Sequence, residues 1–139
     1  MQRRSFVQAS LALGSLGTLV GCASTGRIPE KARVVVVGGG YGGATAAKYI
    51  RMLSNYQIDV TLIEPNSAFV SCPISNLVIG GSKSMADITT PYDKLSGNHG
   101  VNVVRDYVAS IDAAKKTVTL ASGPSIRYDK LVLSPGIDL

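Results

Sequence analysis

The chain has 139 residues, 45% of them hydrophobic, and a formal net charge of +5, which falls to +3 if Arg3 and Arg4 leave with an N-terminal leader. The other basic side chains are scattered and are not interleaved with the six tyrosines, which excludes the basic stripe of a nucleic-acid surface. One histidine and two distant cysteines give no metal-ligand spacing, so no metal site is predicted.

Residues 1–23 have the pattern of an export signal. Arg3 and Arg4 are followed by an aromatic residue and a mild apolar stretch, and no acidic residue precedes Glu30. The stretch is too short and too rich in small residues for a transmembrane helix. The arginine pair resembles a twin-arginine signal, and an ordinary leader for export in the unfolded state is the alternative. We therefore predict an exported, periplasmic protein in which residues 24–31 form a linker.

Cys22 allows a second interpretation of the leader. The segment from Leu19 to Cys22 resembles a lipoprotein processing site, which would make Cys22 a lipidated N-terminus. The alternative is cleavage near Ala23, which would discard Cys22. Contact with a membrane is expected only in the lipidated form. In either case Cys22 is not expected to pair with Cys72, so no structural disulfide is predicted.

A glycine-rich turn between a strand and a helix is the strongest signal in the chain. Residues 32–37 contain four consecutive valines and predict a buried parallel strand, and residues 42–53 fit a helix. Gly38 would permit the tight turn, and Gly40 would let the backbone approach a pyrophosphate. Gly43 would let the helix pack close to the strand, with its positive end aimed at the phosphates.

An acidic residue closes the next predicted strand, residues 59–64. Glu64 follows Gly43 by twenty-one positions and could accept hydrogen bonds from two ribose hydroxyls. The order strand, helix, strand predicts a right-handed βαβ unit. A packed unit of this kind without a ligand is the alternative. Because all the parts are in register, we predict a site for a dinucleotide.

The remaining elements are shorter. Residues 65–84 are expected to be irregular, residues 92–95 to form a short helical segment and residues 101–104 to form a third parallel strand. His99 lies in a polar stretch and is expected to be a solvated turn residue. Alternating runs predict a three-stranded antiparallel meander, and an apolar return strand then ends in a Ser134-Pro135-Gly136 turn. These runs are residues 108–111, 117–120, 126–128 and 130–133.

Five blocks of the sequence resemble the flavoprotein subunit of flavocytochrome c sulfide dehydrogenase, a family of the flavin–disulfide oxidoreductase superfamily. They are spread over nearly all of the chain after the leader, and the block around Cys72 is more specific than the glycine loop. The blocks are residues 34–50, 60–66, 70–81, 128–133 and 134–137. The resemblance implies an α/β fold with a Rossmann-like FAD-binding domain, a parallel sheet and an antiparallel meander. Residues 32–139 would be the N-terminal part of that domain, which would be incomplete.

The resemblance also implies which residues contact FAD. Cys72 matches the cysteine that the family links covalently to a methyl group of the flavin, and the alternative is a buried, inert thiol. Leu77 stands where disulfide reductases of the superfamily place the second cysteine of a redox pair. The full predicted set is Gly38, Gly39, Gly40, Tyr41, Gly42, Gly43, Glu64, Pro65, Cys72, Val108, Pro135 and Gly136.

The activity that the resemblance implies is electron transfer from sulfide, through FAD, to a c-type cytochrome subunit. The family's redox-active cysteine pair would lie beyond Leu139, so no catalytic residue is predicted within the chain. The alternatives are another flavin oxidoreductase, of the sulfide:quinone or NADH:quinone type, and a truncated nucleotide-binding fragment without turnover.

Overall fold

The computed structural model describes residues 30–136 of the chain. Two single turns of 3₁₀ helix, Cys72–Ile74 and Ala86–Ile88, accompany the strands and α-helices. The other elements, in chain order, are β1 (Arg33–Val37), α1 (Tyr41–Leu53), β2 (Asp59–Ile63), β3 (Ala68–Val70), α2 (Ser75–Ile79), β4 (Thr89–Pro91), α3 (Asp93–His99), β5 (Asn102–Val104), β6 (Val108–Asp112), β7 (Thr117–Leu120), β8 (Ser125–Arg127) and β9 (Lys130–Leu133).

A four-stranded parallel sheet, in the order β5-β2-β1-β9, forms the centre of the fold. Strand β1 lies inside it, and its β-branched side chains favour the extended backbone. Val34 and Val36 face a core cluster with Ala47 of α1, whereas Val35 faces a second cluster with Val118 of β7. Both faces of β1 are therefore covered, which is why its sequence is apolar from Val34 to Val37 instead of alternating.

The meander predicted after the parallel strands is present. Strands β6, β7 and β8 pair in sequence order as an antiparallel sheet, with a shift of register between Val108 and Ser110. Val118 and Leu120 pack it against the face of the parallel sheet opposite α1. The predicted α/β class, with a parallel sheet and an antiparallel meander, is confirmed.

The prediction of an irregular stretch over residues 65–84 is wrong. This stretch contains β3 and α2, and β3 pairs antiparallel with β4 in a separate two-stranded sheet. Each strand has only three residues, so neither has a visible period of its own. The two strands stabilise each other across about twenty positions, and Phe69 of β3 packs against the main core.

The prediction that His99 is a solvated turn residue is also wrong. His99 is the last residue of α3, is half-buried, and its buried Nδ1 has no hydrogen-bond partner within the part of the chain that the structure describes. Gly100, with a φ of 61°, ends the helix. The Arg51 side chain donates a 2.9 Å hydrogen bond to the His99 carbonyl, one of the last carbonyls of the helix, which have no partner within it.

Several predictions concern residues that the structure does not describe. The export signal over residues 1–23, with Cys22, and most of the linker over residues 24–31 lie outside the described range. No helix within residues 30–136 is long and apolar enough to cross a lipid bilayer.

Candidate functional site

Two glycines of the loop between β1 and α1 are required by packing. Gly38 has a φ of 93°, and its N–H donates a 2.9 Å hydrogen bond to the carbonyl of Ile63. A Cβ at Gly38 would overlap the carbonyl of Ser134, and a Cβ at Gly43 would overlap the carbonyl of Gly38. The close packing of β1, α1 and the end of β9 therefore requires glycine at both positions.

Gly40 occupies a different environment, because space is open beside its Cα. The nearest heavy atom to an added Cβ would be Cε2 of Phe69, at 3.9 Å. Gly40 is also the N-cap of α1, no hydrogen bond from its side chain is possible, and the first turn contains no acidic residue. The N–H groups and the positive dipole end of this turn therefore suit an anionic ligand approaching Gly40.

The carboxylate of Glu64 lies directly beneath the glycine loop. Glu64 is 8% exposed, and its Oε2 accepts a 2.7 Å hydrogen bond from the N–H of Gly39. Its Oε1 accepts hydrogen bonds from the main-chain N–H and the side-chain amide of Asn66, at 3.0 and 2.8 Å. A carboxylate has about four lone-pair positions, so three are occupied and one position on Oε2 is left for a ligand hydroxyl.

Tyr92 forms a hydrogen bond with the same residue, Gly39, at its carbonyl. Its buried hydroxyl donates a 2.9 Å hydrogen bond to the carbonyl of Gly39, across 53 positions of sequence. Burial, and then the negative charge of Glu64, raise the pKa of Tyr92 to about 12. A Cβ at Gly39 would meet the Tyr92 ring and Glu64, so this position also requires glycine. Sequence patterns assigned Tyr92 only to a helix start and missed this role.

A cleft of about 520 Å³ opens at the carboxyl ends of the parallel strands. This is the edge at which open α/β sheets bind ligands. Five of the predicted site residues line the cleft, namely Gly38, Glu64, Pro65, Val108 and Pro135. Asn66, Asp106 and Tyr107 line it as well and were not predicted.

Gly40 and Tyr41 line a second cleft, of about 370 Å³, on the α1 side of the loop. Tyr41 packs edge-on against Phe69, with ring centroids 4.7 Å apart, and its hydroxyl forms a short hydrogen bond with that of Ser71. The structure therefore divides the predicted site between two clefts, with Gly38 at the first and Gly40 at the second.

The other predicted residues line neither cleft. Gly39 and Gly43 are enclosed by the contacts described above, and a Cβ at Gly42 would lie 2.9 Å from the Ser134 hydroxyl. Gly136 is exposed, with a φ of 77°. Cys72 begins a 3₁₀ turn with a free thiol and is exposed, so the alternative of a buried thiol is wrong.

The sequence matches a known protein family and known enzymes. A family model described as pyridine nucleotide-disulphide oxidoreductase matches residues 32–138. Over 46 residues, 33% of the chain, the sequence is 65% identical to the flavoprotein chain of sulfide dehydrogenase (flavocytochrome c) from Chlorobaculum thiosulfatiphilum, and the match spans 94% of that sequence. It is 34% identical over 103 residues to the sulfide-quinone reductase of Aquifex aeolicus.

The fold also matches that of a solved relative. The sulfide:quinone oxidoreductase from Aquifex aeolicus superposes with a TM-score of 0.68 and 33% identity over 78% of the chain. The chain spans only about a quarter of the length of that structure and of the matching sulfide-quinone reductase sequence, 25% and 24% respectively.

Proposed function

The chain belongs to the pyridine nucleotide-disulphide oxidoreductase family and is related to the flavoprotein chain of flavocytochrome c sulfide dehydrogenase, and from this we propose that it holds the adenosine end of FAD in such an enzyme. The observation that carries the proposal is the buried Glu64 carboxylate, fixed beneath the glycine loop by Gly39 and Asn66. An acid in this position accepts a hydrogen bond from a ribose hydroxyl.

The residues at this edge of the sheet fit that end of the cofactor. The open space beside Gly40 and the uncapped first turn of α1 suit a pyrophosphate. The remaining lone-pair position of Glu64 suits one ribose hydroxyl, fewer than the two that the sequence suggested. When bound, a flavin supplies two-electron oxidation of a substrate and delivery of single electrons to a haem. The protein residues named here position the cofactor and do not take part in that chemistry.

Cys72 is proposed to attach the flavin covalently. Its block of sequence resembles the family, and the exposed, free thiol leaves the sulfur accessible for a thioether bond. Cys72 lies at the start of a 3₁₀ turn that follows β3, beyond the ribose acid along the chain. A covalent link there would fix the flavin ring and tune its potential.

The substrate, acceptor and location of the whole protein are part of the same proposal. The sulfide dehydrogenase name of the 65% identical relative supports sulfide as substrate and a c-type cytochrome as partner. The arginine pair of the leader supports export to the periplasm, with a membrane anchor only if Cys22 is lipidated. A quinone as acceptor is the second candidate, since the matching Aquifex aeolicus protein is a sulfide-quinone reductase.

One experiment separates these acceptors. The whole protein that carries this chain is purified, assayed for sulfide-dependent reduction of cytochrome c and, in parallel, of a quinone, and then precipitated with acid. We expect cytochrome reduction and a yellow pellet from the unsubstituted protein, and release of the flavin to the supernatant from Cys72→Ser. Quinone reduction with a colourless pellet would favour the second candidate. Flavin that binds without any sulfide oxidation would reject both.

A further inference from the structure

Tyr107 lies where the base of a bound dinucleotide would extend, given the proposed function. In the parallel sheet β2 lies between β1 and β5. Gly38 follows β1, Glu64 follows β2, and Tyr107 lies between β5 and β6, and all three line the 520 Å³ cleft. With the phosphates at the glycine loop and the ribose at Glu64, the base continues in the same direction, away from β1 and towards β5.

The backbone of Tyr107 is held on both sides. Its N–H donates a 2.7 Å hydrogen bond to Oδ1 of Asp106, and its carbonyl accepts a 2.9 Å hydrogen bond from the N–H of Ala121. Oδ2 of Asp106 in turn accepts hydrogen bonds from the hydroxyl and the N–H of Ser122. The hydrogen bond from the Ser122 side chain is the largest cause that lowers the pKa of Asp106. The segment is therefore tied to the turn between β7 and β8.

Tyr107 is nevertheless 68% exposed. An aromatic side chain on a fixed backbone at the wall of a cleft offers a flat apolar face to a ligand in that cleft. Such a face binds nucleobases by stacking, and the fixed backbone leaves only the side chain to be ordered when a base binds. Val37 and Ile63 supply apolar surface elsewhere in the same cleft.

We propose that Tyr107 is a specificity-determining residue on which the adenine ring of the cofactor stacks. A purine offers a larger ring face than a pyrimidine, so the stacking contact favours adenine nucleotides over uridine nucleotides. The preference comes from the ring and not from the phenol hydroxyl, so phenylalanine should replace tyrosine here without loss.

The test uses the chain carrying Cys72→Ser, so that flavin can be removed, and titrates it with ADP and UDP by calorimetry. Tyr107→Ala is compared with Tyr107→Phe and with Tyr49→Ala, a control that removes a 47% exposed tyrosine from α1, outside the cleft. We expect Tyr107→Ala to weaken ADP binding roughly tenfold or more, the usual cost of removing a base-stacking ring, and to weaken UDP binding by a clearly smaller factor, since uracil offers a smaller ring face. Tyr107→Phe and Tyr49→Ala should keep the preference for ADP.

The outcomes separate this inference from the proposed function. Equal ADP affinity in Tyr107→Ala and Tyr49→Ala would reject the stacking role and leave the dinucleotide site intact. Equal weakening of ADP and UDP would also reject it, because a general disturbance of the cleft does not distinguish the bases. No binding of ADP or FAD by the unsubstituted chain would overturn the proposed function and the inference together.

Discussion

The main-chain N–H of Gly39 donates a 2.7 Å hydrogen bond to the carboxylate of Glu64, across 25 positions of sequence. The carbonyl of the same glycine accepts the hydroxyl of Tyr92. The loop that would hold the phosphates and the acid that would hold the ribose are therefore one hydrogen-bonded unit, supported from the core. Groups that are already positioned lose less entropy when a ligand binds, so this unit should raise the affinity for a dinucleotide.

Substituting Glu64→Gln tests that unit. The glutamine keeps one acceptor oxygen and turns an NH₂ group towards a donor N–H of Gly39 or Asn66. At least one buried hydrogen bond is lost, so we expect destabilisation by about 1–3 kcal/mol and weaker binding of ADP. Urea unfolding and calorimetry measure the two effects. Asp93→Asn, on an exposed carboxylate in the first turn of α3, is the matched control. Equal effects of the two substitutions would contradict the role of Glu64.

The sequence predicted the elements whose signals are local. Strand β1, helix α1 and the meander follow from apolar runs, spacing and turn residues over windows of ten or so positions. The hydrogen bonds that hold the site in place could not be predicted in this way, because their partners are distant in sequence. Tyr92 and Gly39 are 53 positions apart, and Asp106 and Ser122 are 16 positions apart. A tyrosine at a helix start has the same local sequence whether its hydroxyl faces solvent or a glycine carbonyl.

The open space at Gly40 and the closed space at Gly43 predict opposite effects of alanine. Gly40→Ala has room for its Cβ, so the chain should fold with stability within about 1 kcal/mol of the original while binding of ADP falls at least tenfold. Gly43→Ala would force its Cβ onto the Gly38 carbonyl, so we expect a loss of roughly 3 kcal/mol or more, or no folding. Thermal unfolding and ADP titration distinguish the two.

Gly97 is the control for both glycines. It lies within α3, and nothing stands within 4 Å of an added Cβ. Gly97→Ala should therefore stabilise the chain by up to about 1 kcal/mol through helix propensity and leave nucleotide binding unchanged. If Gly40→Ala bound ADP as well as Gly97→Ala does, the approach of a phosphate to Gly40 would be ruled out.

The raised pKa of Tyr92 predicts that the folded chain loses stability in strong base. The pKa of Tyr92 rises from 10.0 to about 12 in the folded chain, first because of burial and then because of Glu64. A group with a raised folded pKa contributes stability that is complete below its unfolded pKa and disappears as the pH rises through the folded one. We expect a decline of up to about 3 kcal/mol between pH 10 and pH 12, attributable to this residue.

The phenylalanine variant isolates that contribution. Tyr92→Phe cannot ionise, so its free energy of unfolding should fall less steeply over that range, although at neutral pH it should be about 1 kcal/mol less stable because Gly39 loses a donor. Urea unfolding across the pH series measures both effects. Tyr49→Phe, at an exposed position on α1, should follow the unsubstituted chain. An identical slope for the chain and for Tyr92→Phe would show that Tyr92 ionises as freely when folded as when unfolded.

Substitution of Arg51 is expected to lower the stability of the chain without changing its affinity for ADP. Its side chain is 11% exposed, donates to the carbonyls of His99, Tyr56 and Ile58, and lies 3.5 Å from an oxygen of Asp59. Lysine lacks the planar fork that reaches several carbonyls at once. Arg51→Lys should therefore lose about 1–3 kcal/mol of unfolding free energy.

The same substitution also tests whether the nucleotide site depends only on the first turn of α1. Arg51 lies in the last turn of α1, at the end opposite the glycine loop, so ADP affinity should stay within about twofold once the variant is folded. Arg127→Lys, on the exposed side of β8, is the matched control for the charge-conserving change. If Arg51→Lys weakened ADP binding as much as Gly40→Ala does, the anion site would depend on the whole of α1 and not on its first turn.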